Sequence, residues 1–170
     1  MQHVALLAFD KEKCKPFFDR LTELFYEHHH SEQQNPDEYE KLLYMVKRPY
    51  DNNMLDMIDD WMGLGHREWR EETTREVKLA LYAIRYPDTL LLDSFTAKPR
   101  SDIRRLSSYL HFTHHTYAIW DEDTRKGLEK IGIKIPSTET ADPFIYGAYV
   151  SAIELLKDVA PFTCFLEHDV

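Results

Sequence analysis

Apolar positions recur at helical spacing along most of the chain. Between Lys11 and Glu27, Phe17, Phe18, Leu21, Leu24 and Phe25 share one side of a helix, with Pro16 tolerable only in its first turn. The polar stretch Ser31–Asp37 (SEQQNPD) reads as a surface loop. It leads into a shorter helical pattern built on Tyr39, Leu42, Leu43 and Val46. Asp51 is the expected cap of a helix whose inward side carries Met54, Leu55, Ile58, Trp61 and Met62. Gly63 suits the left-handed position that ends it. Thr73 and Glu76 have capping-box spacing ahead of the apolar face Val77, Ala80, Leu81 and Ile84, and Pro87 enforces a stop near Tyr86. The run Leu90–Leu92 reads as a short buried turn of helix.

Past the linker Lys98-Pro99-Arg100, Ser101 is the expected cap of a segment that turns Ile103, Leu106, Tyr109 and Leu110 inward. Asp121 or Asp123 opens another helix that ends at Gly132. Asp142 and Pro143 take the cap and first helical positions of a long helix carrying Phe144, Ile145, Ala148, Tyr149, Ala152, Ile153 and Leu156, closed before Pro161. The opening run Val4–Phe9 fits either a strand or the start of a buried helix. These patterns predict an all-α, compact multi-helix domain of seven or eight helices over residues 1–170, without internal repeat.

Length and composition sharpen this picture. A 170-residue chain can bury roughly two-thirds of its unfolded surface without staples, and 43% hydrophobic with 13% aromatic residues argue for a packed core. Cys14 and Cys164 lie near opposite ends and offer neither zinc-ligand spacing nor a disulfide framework. No apolar run approaches the ~20 residues that a membrane span requires. The opening MQHVALLAFDKEKCK lacks a basic leader and a small-residue cleavage site, so the expected location is the cytoplasm.

Charge divides the chain. Its total is −9, which repels phosphate backbones at long range. Between Lys98 and Lys134, however, eight basic and five acidic residues make a window of +3 and leave −12 for the rest, including an acidic N-terminal part over residues 1–95. Lys98, Arg100, Arg104 and Arg105 flank an expected helix N-terminus, a place suited to phosphate, and Lys126 stands on the following helix. The window 98–134 is therefore the candidate contact with duplex DNA, and the acidic remainder the candidate contact with a basic protein. For the basic window, a solvated surface is the plainer reading.

The stretch from Ser107 to Gly127, SSYLHFTHHTYAIWDEDTRKG, couples a helix that ends in an aromatic-rich corner to an apolar run and an Asp that opens the next helix. This resembles the core of the helix-hairpin-helix DNA glycosylase superfamily, particularly the small proteins similar to 8-oxoguanine DNA glycosylase. The later PFIYGAYVSAIELL is similar to the helix that follows in such proteins, and the resemblance covers residues 101–158 within a core over 98–158. It implies a helical fold and places Asp121, after Tyr117-Ala118-Ile119-Trp120, where that superfamily keeps the aspartate that assists base excision. Bifunctional members carry a glycine-rich hairpin and a lysine nucleophile upstream, where this chain reads Arg100-Ser101-Asp102-Ile103-Arg104-Arg105. The one Gly-x-Gly, Gly63-Leu64-Gly65, lies too far upstream to be that hairpin and reads as a helix end and turn.

Asp121 is thus the candidate catalytic residue, a general base or a stabiliser of an oxocarbenium-like sugar, against the plainer role of helix cap. His111, Tyr117, Trp120 and Tyr146 are candidates for a base-sized pocket, because extruded bases are gripped by stacking, against the plainer role of core. His111, His114 and His115 beside Asp121, Glu122 and Asp123 lack any recognised metal-ligand spacing, and His28-His29-His30 reads as a solvated helix end. No motif calls for a cofactor or a metal, and no phosphate loop, nucleophile elbow or Cys-His arrangement stands in the chain. The leading expectation is a macromolecule-binding helical protein, a diverged non-catalytic relative of the glycosylases. The alternatives are an active monofunctional glycosylase working through Asp121 and an acidic protein-interaction or inhibitor protein.

Overall fold

A computed structural model describes residues 11–20, 36–46, 53–83, 102–114 and 117–160. Among them lie seven helices: α1 (Lys11–Phe18), α2 (Pro36–Val46), α3 (Met54–Trp61), α4 (Glu71–Ala83), α5 (Ile103–Thr113), α6 (Glu122–Lys130) and α7 (Pro143–Val159). The only β contact among the described residues is an isolated antiparallel bridge between Asp102 and Thr140. The all-α class read from the hydrophobic pattern is the class of the structure.

The caps show why these helices begin and end where they do. The Asp142 side chain accepts from the backbone N–H of Phe144 and Ile145, each at 2.9 Å, and Pro143 holds the first helical position, as the sequence pattern predicts. Asp121 rather than Asp123 caps α6. Gly63 and Gly132 both take left-handed backbone, with φ of 63° and 95°, just past the ends of α3 and α6.

Other boundaries differ from expectation. Asp102 caps α5 through Arg104 N–H at 2.8 Å, and Ser101, the cap expected from the sequence, lies outside the described residues. The Thr73 capping box does not form. Helix α4 already starts at Glu71, so Thr73 sits in the first turn beside two glutamates that favour the positive end of the helix dipole. Pro36 and Asp37, expected in a loop, open α2, where a missing N–H costs nothing. Pro16 stands in the sixth position of α1, beyond the first turn, and the helix gives way to a turn at Asp19 and Arg20. The readings at Val4–Phe9, Asp51, Pro87, Leu90–Leu92, Pro161 and Cys164 lie outside the described residues. So does the second half of the helix expected from Lys11 to Glu27.

Helix α5 is the centre of the packing. Ile103, Leu106, Tyr109, Leu110 and Phe112 are all buried, and the helix packs against α2, α3 and α4. Ser107 and Ser108 are buried with them. Each small hydroxyl donates back into its own helix, to Arg104 O at 3.0 Å and Arg105 O at 2.8 Å, so close approach leaves no donor unpaired. One buried apolar cluster runs from Leu42 through Leu55, Leu81 and Tyr109 to Tyr149 and Ala152, joining residues of the acidic N-terminal part to residues of 98–158. Among the described residues, no helix is long and apolar enough to cross a membrane.

Candidate functional site

The segment from Tyr117 to Asp121 threads between α5 and α7, and its backbone is held from both sides. From α5, Ser107 Oγ accepts from Trp120 N–H at 2.8 Å, and His111 Nδ1 lies 2.7 Å from Tyr117 O. From α7, the Tyr146 hydroxyl donates to Ala118 O at 2.9 Å and the Tyr149 hydroxyl donates to Ile119 O at 3.0 Å. The same Tyr149 oxygen accepts from Asp121 N–H at 3.3 Å. A loop that enters the core must satisfy its backbone groups there, and this one does so with side chains.

The histidine's role follows from valence. A carbonyl can only accept, so the Nδ1 of His111 carries the proton, and in the neutral ring Nε2 accepts from the Tyr39 hydroxyl 2.8 Å away. His111 thereby bridges α2 to the corner, with Tyr39 stacked on it at 6.0 Å. Burial raises the Tyr39 hydroxyl above its ordinary pKa.

The aromatic candidates fill the interior. Tyr117 and Tyr146 are buried and stack with ring centroids 6.3 Å apart and planes 11° from parallel. Trp120 packs against Tyr149 at 4.8 Å. Burial pushes the Tyr146 hydroxyl well above the usual tyrosine range and the Tyr149 hydroxyl up to about 12. Four aromatic side chains of the corner are thus packed on one another, and the two from α7, Tyr146 and Tyr149, are bonded to the backbone they support.

Asp121 is exposed, and its Oδ2 accepts from both the N–H and the hydroxyl of Thr124, at 2.7 and 2.9 Å. Its extended backbone, φ −135° and ψ 130°, is that of an N-cap. Beside it opens a groove of about 870 Å³ between the N-terminal ends of α5 and α6. Asp102, Ile103 and Arg104 line it from α5, Trp120, Asp121, Glu122 and Lys126 from α6 and its approach, and Ser137, Thr138, Glu139 and Thr140 from the outer wall. That wall is fixed by Ile103 N–H donating to Glu139 O at 3.2 Å, by Ser137 Oγ donating to Glu122 at 3.2 Å, and by Arg125 donating to Ile135 O at 2.8 Å. Four carboxylates and two cations line the groove.

No family model, curated protein or solved structure matches the chain.

The cations expected to meet phosphate fall into different places. Arg104 is exposed on the groove, and no ion pair engages it among the described residues. Lys126 lines the same groove but is ion-paired with Asp123 at 3.1 Å, an exposed contact of little energetic weight. Arg105 turns inward, where its Nε donates to Asp59 Oδ1 at 3.1 Å and its Nη2 to Gly65 O. Lys98 and Arg100 lie outside the described residues.

Arg105 belongs to a polar cluster that the hydrophobic pattern alone does not announce. Asp59 is 4% exposed, and its Oδ1 also accepts from the Tyr109 hydroxyl at 2.6 Å. Its Oδ2 accepts from Arg67, whose guanidinium also donates to the Tyr109 oxygen at 3.2 Å and reaches Asp56. Burial first, then the bond to and charge of Asp59, raises the Tyr109 hydroxyl far above its ordinary pKa. One signal for Asp59 was present in the sequence: Leu55, Ile58, Asp59 and Met62 sit at i, i+3, i+4 and i+7, so the acid stands on the apolar stripe of its own helix. Its arginine partners, 8 and 46 residues away, carry no such mark.

Among the described residues, no three His, Cys, Asp or Glu side chains converge as a metal site. The His28-His29-His30 run lies outside them, as does His115.

Proposed function

We propose that this chain is a non-catalytic, macromolecule-binding helical domain, that the groove beside Asp121 is its contact face, and that its partner is a polypeptide segment rich in lysine and arginine. The observation that carries the proposal is the lining of the groove: Asp102, Asp121, Glu122 and Glu139 against Arg104 and Lys126, on a chain of net charge −9. Such a surface attracts cationic side chains and disfavours a phosphate backbone. The inward turn of Arg105 strengthens this, because it removes from the face one of the cations that a duplex would need.

The non-catalytic half of the proposal rests on the corner. Asp121 is engaged as the cap of α6, and Tyr117 and Tyr146, which a base-excising pocket would have to free, are packed in the core. The apolar run leading into an N-capping aspartate is, on this proposal, the trace of descent from a helix-hairpin-helix glycosylase, kept for its packing. The opposing reading, excision of a damaged base by water activated at Asp121, has one observation on its side: that carboxylate is exposed on the groove wall.

Fluorescence anisotropy with a labelled Lys/Arg-rich peptide, an acidic peptide of equal length and a lesion-containing duplex tests the proposal. The expected result is binding of the basic peptide alone, weakened by salt, weakened by Glu139→Lys and strengthened by Arg104→Glu. Duplex binding that Arg104→Glu abolishes, or equal binding of the basic and acidic peptides, would overturn it.

A further inference from the structure

We draw no further inference here: the strongest candidate, the groove between the N-terminal ends of α5 and α6, belongs to the site already described and is built of helix caps and carboxylates, with no second observation that points to a particular ligand.

Discussion

Two aspartates on either side of α5 show how the same side chain serves opposite ends. Asp59 is buried between α3 and α5 and accepts from Tyr109, Arg67 and Arg105. Asp121 is exposed at the start of α6 and accepts from Thr124, three residues on. The first joins parts of the chain far apart in sequence and is marked only by its place on the apolar stripe of its own helix; the second organises a single helix turn and advertises itself as a cap. Position in a motif therefore drew attention to Asp121, whereas burial and partner count give Asp59 the larger energetic role.

Stability should depend most on Asp59. Asp59→Ala leaves two guanidinium groups, 9% and 15% exposed, without their shared carboxylate. Removing one partner of a buried pair costs about 3–5 kcal/mol, so urea unfolding should show a loss of that order. A loss below about 1 kcal/mol would mean that water reaches the cluster as readily as it reaches Asp121.

The corner should respond next. Tyr149→Phe removes one hydroxyl that serves both Ile119 O and Asp121 N–H, leaving partly buried backbone groups unpaired. About 1–3 kcal/mol should be lost in the same assay. The hydroxyl also makes stability fall with alkali. Its folded pKa, raised mainly by burial to about 12 from 10.0, means that the protonated form is the one the fold favours. Its contribution is complete below pH 10 and is lost as pH rises through about 12, so the wild type should weaken across that window more steeply than Tyr149→Phe. A parallel pH profile for the two proteins would contradict the placement of this hydroxyl.

What was legible in the sequence and what was not divides along the same line. Caps and helix ends are local signals, and Asp142 with Pro143, Asp121 and Gly63 all perform as the pattern indicates. Where two polar neighbours compete for one cap the pattern is less decisive, and Asp102 holds α5 where Ser101 was expected. Of the groove's lining, the sequence reading singles out Arg104, Trp120, Asp121 and Lys126, without the surface they share. Helical spacing cannot say that Arg104 would face the groove while the adjacent Arg105 turns toward Asp59. Nor does it reveal that residues 137–140 close the groove's outer wall, because that closure depends on the Asp102–Thr140 bridge between distant segments.

Asp121 should matter less to stability. Losing a capping side chain costs about 0.5–2 kcal/mol, whereas asparagine caps nearly as well as aspartate. Asp121→Ala should therefore destabilise by about 1 kcal/mol, and Asp121→Asn by a few tenths, measured by urea unfolding. Equal losses from the two would show that the charge, rather than the hydrogen bond to Thr124, is what α6 requires.

The mild Asn variant also isolates chemistry from folding. Duplexes carrying damaged or mismatched bases, incubated with wild type and with Asp121→Asn and then scored for abasic sites, test most directly whether this corner is a cap or a catalyst. Every base should remain in place with both proteins; excision by the wild type that disappears in an equally stable Asp121→Asn would contradict the role of this corner as a cap.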